Sequence, residues 1–224
     1  MKKFLPLILV GVGILVLGLV FFFVNKTKNI EEVDTSDESV VIDVAFVDRP
    51  FVALIPTNDG HYLKLKIANI VIPAKTLDYE LLYQTKDDLT QGVPGSVNIT
   101  GDSFEVDMLL GSESSGKFRY DEGVKTGSLS LRFRNDKGQL IARFTTDFHL
   151  QTDTKILATQ DKSFVYELTK EASEFFVTMN TIGTINGPEN VTDGPIGIFS
   201  SSGSLPSGSV NGSWQKLGDN VFYR

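Results

Sequence analysis

The stretch Gly111-Ser112-Glu113-Ser114-Ser115-Gly116-Lys117-Phe118 comes within one residue of the phosphate-cradling pattern GxxxxGK[ST]. In that pattern the hydroxyl after the lysine holds Mg²⁺, and a helix begins at once, so that its amide N–H groups and dipole face phosphate. Here Phe118 stands where the hydroxyl is needed, and FRYDEGVKTG, with Gly123 and Gly127, reads as a turn. Glu113 would add a carboxylate inside the cradle. The segment is expected to be a β–β loop with Lys117 free for contacts, and no nucleotide cofactor is implied. Ser114-x-x-Lys117 and Lys125-Thr126-Gly127 match two elements of serine acyl-transfer chemistry. They lie about a turn apart, with no helix to carry the serine, and are read as coincidences.

The remaining candidates are sparse. His149 shares period-two spacing with Asp147 and Arg143, but a triad would need a serine nucleophile and an oxyanion hole that nothing nearby supplies. It is read as part of a surface cross-strand cluster with Arg132 and Arg134. His61 follows a turn and is expected to be exposed. With no Cys, thiolate sites are excluded, and with two His a multi-histidine metal centre is not expected. The acid pairs Asp87-Asp88 and Asp121-Glu122 lack the DxDxDG spacing of a calcium loop, so no metal is assigned. Trp214, in a Gly/Ser-rich setting, is the aromatic residue most suited to a stacking contact. The candidate contacts are therefore Trp214, Lys117 and His149, with no catalytic, cofactor-binding or metal-ligating residue.

The elements that position these residues divide the 224-residue chain sharply. A four-residue tail, 1–4, precedes Leu5–Val24, twenty residues without a charge. At about 1.5 Å rise per residue these span roughly 30 Å, the thickness of a hydrocarbon core. The run exceeds the apolar part of a signal peptide, and Phe21-Phe22-Phe23-Val24 offers no small-residue cleavage site. It is expected to be an uncleaved transmembrane signal anchor. Lys2 and Lys3 balance Lys26 and Lys28 across it. The short tail favours the amino terminus inside and the rest outside the cytoplasm.

Residues 25–39 form a polar, acidic linker. The first 28 residues hold four lysines and no acid, so the remainder carries −11 against −7 for the whole chain. An acidic domain argues against a nucleic-acid partner. From residue 40 period-two alternation dominates. Ile42, Val44 and Phe46 alternate, as do Leu63, Leu65 and Ile67. Leu77 to Tyr83, Phe104 to Leu110 and Leu129 to Phe133 follow the same period. The longest stripe is Leu140, Ala142, Phe144, Thr146, Phe148 and Leu150; Phe164 to Leu168 and Phe175 to Met179 follow. Asn58-Asp59-Gly60, Thr100-Gly101-Asp102, Asn135 to Gly138 and Gly218 to Asn220 read as hairpin turns. Leu168 to Phe176 is the best helical candidate and is at most a short turn. The spacing predicts an all-β chain, an antiparallel β-sandwich of immunoglobulin-like architecture by analogy, behind the N-terminal helix. The sandwich is placed at 40–152. Residues 153–224 supply additional strands or a small second β unit, with long loops over 186–213.

These features imply a single-pass, membrane-anchored envelope protein. It would display a non-catalytic extracytoplasmic β domain to a protein or envelope-polymer partner. The alternative is a membrane-tethered hydrolase or carbohydrate-active domain using acidic cleft residues. Packing of Leu5–Val24 on other helices, within a larger membrane assembly, is a third reading.

Overall fold

Strict alternation leaves each strand with one apolar face to bury. The computed structural model describes residues 42–189 and 191–224, and shows how those faces are covered. The expected span at 5–24 and the linker at 25–39 lie outside the described residues. No helix among the described residues is long and apolar enough to cross a membrane. The described residues are all-β, as predicted for the part of the chain after the linker. In order the strands are β1 (Phe51–Pro56), β2 (Tyr62–Ala68), β3 (Thr76–Gln84), β4 (Thr90–Asn98), β5 (Phe104–Leu109), β6 (Gly111–Ser114), β7 (Lys117–Tyr120) and β8 (Thr126–Arg134). There follow β9 (Leu140–Gln151), β10 (Thr154–Ala158), β11 (Val165–Ala172), β12 (Phe176–Asn180), β13 (Ile196–Ser200), β14 (Gly208–Val210), β15 (Gln215–Leu217) and β16 (Val221–Tyr223).

Eight of them form one antiparallel sheet in the order β15-β16-β13-β12-β9-β8-β3-β4. Two three-stranded sheets, β1-β2-β5 and β10-β11-β14, and the hairpin β6-β7 complete the described set. The long sheet joins strands from both sides of residue 152 through the β9–β12 pairing. Leu54, Leu65 and Met108 of the first small sheet share a core with Leu81, Leu131 and Phe148 of the long one. Leu157, Tyr166 and Leu168 of the second small sheet share another with Phe176, Ile198 and Phe222.

These two cores lie on opposite faces of β12 and β13. Val177, Met179 and Phe199 enter the first core, whereas the alternate residues Phe176, Ile196 and Ile198 enter the second. Every residue of β13 is buried. A strand covered on both faces reads as a continuous apolar run rather than an alternating one. For that reason Ile196–Ser200 was hidden inside the Gly/Ser/Pro-rich stretch expected to be loop, and that expectation is corrected here. Phe51–Pro56 likewise gives no alternation, because Val52, Ala53 and Leu54 are all buried.

The edge strand β4 reads as loop for another reason: it contains Gly92, Pro94 and Gly95. Hydrogen bonds from Thr85 N–H to Leu89 O and from Ile99 N–H to Lys75 O bracket its ladder with β3. Bonded and non-bonded pairs alternate in an antiparallel ladder. In the register that sets Glu80 against Pro94, the proline nitrogen therefore faces away from β3. There its missing N–H removes no ladder bond, and it blunts the free edge.

Other expectations are corrected locally. Phe46–Asp48 is a short 3-10 turn, not a strand, and Ile42 is exposed. Thr100-Gly101-Asp102 joins strands of different sheets, so it is not a hairpin turn. Leu168 continues β11 instead of entering a helical turn. The turns at Gly60, Gly138 and Gly218 hold, with φ of 69°, 79° and 64°.

Because β12 and β13 serve both cores, Phe176→Ala should cost about 3–5 kcal/mol, as for other buried phenylalanines. Thermal unfolding followed separately by far-ultraviolet circular dichroism and by Trp214 fluorescence should give one coincident transition. Two separated transitions would mean that the cores are independent.

Candidate functional site

The polar face of the long sheet is laced with cross-strand pairs. Arg134 Nε donates to Asp78 Oδ2 at 2.7 Å, Ser96 Oγ donates to Asp78 Oδ1 at 2.7 Å, and Arg132 donates to Glu80 at 3.4 Å. Burial alone would raise the Asp78 carboxyl. The hydrogen bonds from Arg134 and Ser96, with the nearby guanidinium charges, nevertheless hold it below the ordinary carboxylate range. His149 does not join this cluster. Its strand end passes under β10, and its Nδ1 lies 2.8 Å from the Ala158 carbonyl. Gln151 bonds the backbone of Ile156 and Ala158, and Gln160 Nε2 donates to the carbonyls of Gly127 and Phe148. These side chains fasten the β10–β11 hairpin over β9, which is why the sequence-based placement of His149 fails.

The same crossing builds one wall of an open groove of about 1010 Å³. Its floor includes Arg143, Thr145 and Asp147 of β9; Thr159, Asp161 and Ser163 of the β10–β11 turn form one side, and Ile42 to Val44 with Arg49 another. Asn180 and Asp193 close an end. Four carboxylates line this groove, but Asp43 lies 3.8 Å from the Arg49 guanidinium, and two more are committed. Asp193 accepts from the Arg224 guanidinium, and Asp161 is held low first by the Thr159 hydroxyl and then by the Ser163 backbone N–H. A general acid needs a raised value, so Asp161 is set in the opposite direction. Among the described residues no group of three or more metal-ligating side chains converges.

The second surface is the β6–β7 hairpin. Ser115 and Gly116, at φ 52° and 76°, form the two-residue turn with positive φ that suits a right-twisted hairpin. The segment read as a loop is therefore two short strands. Gly111, at φ 152°, lies against the Arg119 carbonyl, where any side chain would collide. Tyr120 pairs across from it and stacks on His61 at 3.8 Å with planes 5° apart. Phe118 continues the row at 6.2 Å and 8°. Phe118 is 48% exposed and Tyr120 39%. Lys117 and Arg119 occupy the alternate positions of the same strand, both exposed and without an ion pair among the described residues. His61 also approaches Asp59 at 3.1 Å, so it is half-exposed but anchored. The Lys-Phe-Arg-Tyr run carried a readable two-residue period; the stack on His61, 57 residues away in sequence from Phe118, carried none.

Trp214 is used by the fold. Its ring meets Phe164 edge-on at 5.0 Å and Arg224 covers it at 4.5 Å, leaving 9% of the residue exposed. The structure thus brings none of Trp214, Lys117 and His149 together. Tyr83, buried in the first core, donates to Asp121 at 2.9 Å; burial first, and then that acceptor, push its phenol up.

A carboxyl whose folded value is lowered contributes stability above the ordinary carboxylate range and loses it as pH falls through the lowered value. Asp78→Asn should therefore destabilise the protein at neutral pH, with the deficit closing below about pH 4. Denaturant midpoints across pH measure this, and a deficit that persists unchanged into strong acid would contradict it. With both surfaces in view, comparison with known proteins adds no relative: the chain matches no protein-family model, no curated protein and no solved structure.

Proposed function

We propose that this chain is a single-pass envelope protein anchored through Leu5–Val24, with the domain that follows the linker displayed outside the cytoplasm as a non-catalytic binding or structural module. The pairing of small sheets against a long one supports the sandwich-type, immunoglobulin-like analogy at the level of architecture, and architecture does not choose a function. The observation that carries the reading is the β6–β7 hairpin. It exposes a row of aromatic rings that neither core uses, stacked on His61. Exposed aromatic residues beside cations are the composition of a contact surface. The groove lends hydrolysis little support, since Asp43 pairs with Arg49, Asp193 with Arg224, and Asp161 is held low by the Thr159 hydroxyl and the Ser163 N–H.

Membranes carrying the full chain should retain it through alkaline carbonate extraction, and protease added to intact cells should degrade the domain. Release by carbonate would remove the anchor; protection until lysis would reverse the orientation. Phe118→Ser with Tyr120→Ser should leave the circular dichroism spectrum unchanged while abolishing the cross-linking of the domain to other envelope components. An unchanged cross-linking pattern would show that the hairpin is not the contact surface.

A further inference from the structure

We infer that the hairpin takes its partner as an added strand, an extended acidic segment of another protein paired with the outer edge of β7; this rests on the reading of the hairpin as the contact surface. The ladder shows which edge is open. A two-residue turn is closed by a hydrogen-bonded pair, here Ser114 and Lys117, and bonded pairs recur at every second position. Ser112 and Arg119 are the next such pair, and beyond them the Asp121 N–H donates to the Leu110 carbonyl at 2.9 Å. The N–H and C=O groups of Phe118 and Tyr120 therefore point away from β6. β7 pairs with no other strand, and none of these groups is hydrogen-bonded among the described residues. Such an edge is a template for strand addition, whereas β4, at the edge of the long sheet, is blunted by Pro94.

The two faces of β7 select the strand that fits. Opposite residues of a ladder share a face, so Lys117 and Arg119 stand with Ser114 and Ser112, and that face of the hairpin carries no acid. Glu113 lies opposite Phe118, on the other face. The acids just beyond the hairpin are engaged: Asp121 accepts from the Tyr83 hydroxyl, and Glu122 pairs with Lys86. Lys117 and Arg119 are exposed and have no ion pair among the described residues, although acids outnumber cations in the chain. Alternate residues lie roughly 7 Å apart on any extended strand. A partner with acids at every second position therefore sets a carboxylate beside each cation. Its intervening apolar residues cover Phe118 and Tyr120, which are 48% and 39% exposed. The cations also reject what does not fit, since a second β7 laid along this edge would bring like charges together. Few main-chain bonds form along a four-residue strand, so the contact is weak and sensitive to salt.

The test uses full-length protein in detergent micelles and a short, end-blocked, fluorescent peptide of alternating Glu and Val, with binding read by anisotropy. The peptide should bind, less tightly as salt rises. A peptide of alternating Lys and Val should bind at least about tenfold more weakly. N-methylation of every peptide amide keeps the charges but removes the main-chain donors, and should also weaken binding at least about tenfold. Amide exchange followed by nuclear magnetic resonance should slow at Phe118 and Tyr120 when the Glu–Val peptide is bound. Lys117→Glu with Arg119→Glu should reverse the preference between the two peptides, with circular dichroism confirming the fold. A Glu–Val peptide that fails to bind, that binds equally well when N-methylated, or that leaves exchange at Phe118 unchanged overturns the inference. Binding of anionic lipid vesicles or an anionic polysaccharide in place of the peptide overturns it too. The cross-linking experiment separates the two readings. Cross-links lost in the Phe118→Ser, Tyr120→Ser variant, with no peptide bound by the parent, keep the hairpin as the contact surface and remove only the acidic strand.

Discussion

The burial of β12 and β13 on both faces is the constraint on which the rest of the domain depends. A two-sided strand contributes apolar side chains to two cores at once, at about 1.5–3 kcal/mol for each large residue fully removed from water. Val177 and Met179 close the first core, and Phe176 and Ile198 the second. The two small sheets never pair with each other, yet each is held to the same pair of central strands. This couples segments far apart in sequence. β1 touches β12 and β13 on one side, while β11 lies over them on the other. The fold is therefore built outward from a strand pair that appears late in the chain.

The polar groove follows from that arrangement. A small sheet that covers one face of β12 and β13 must end somewhere over β9, and its border is a turn, Thr159 to Phe164. Phe164 anchors the turn in the second core, but toward β9 the border is held by hydrogen bonds, because the residues of β9 beneath it are in the outward, polar phase. Gln151, Gln160 and His149 each satisfy backbone groups that the crossing would otherwise leave bare. Beyond the turn the same outward phase, Asp147, Thr145 and Arg143, is left uncovered and becomes the groove floor.

How much of this the sequence showed depends on how each strand is covered. Strands with one wet face announced themselves: β3, β5, β8 and β9 alternate as their burial does, and the long stripe of β9 was read to its ends. Two classes of strand did not. Of those covered on both faces, β1 and β13 lose the alternation that period counting detects, whereas β12 keeps it because Thr178 stands between Val177 and Met179. The edge strand β4 loses it because its glycines and proline mimic a loop, although Pro94 stands only where the ladder has no bond to lose. The site was less legible than the fold. Lys117 was placed at a contact surface from its loop-like setting, but its aromatic neighbours gain their arrangement from His61, and no local pattern encodes that stack. Trp214 misled because a Gly/Ser-rich flank looked like exposure, whereas the flanking turns serve to fold the indole under Arg224.

The hairpin stands apart from this economy of shared burial. Four-residue strands paired only with each other are marginal by themselves. Here they are held in shape by a glycine that admits the Arg119 carbonyl, by a positive-φ turn and by the Tyr120–His61 stack. None of these devices adds to either core. Ordering a segment costs conformational entropy of about 1–2 kcal/mol per residue. A fold that orders such a segment while leaving Phe118 and Tyr120 in water retains solvent-exposed apolar surface that another molecule can cover. The paired shape also matters for that contact, because a segment already folded as a hairpin has less entropy to lose on docking than an open loop. The physical case for a displayed surface thus rests on the mismatch between how firmly the hairpin is held and how little it contributes to holding the domain.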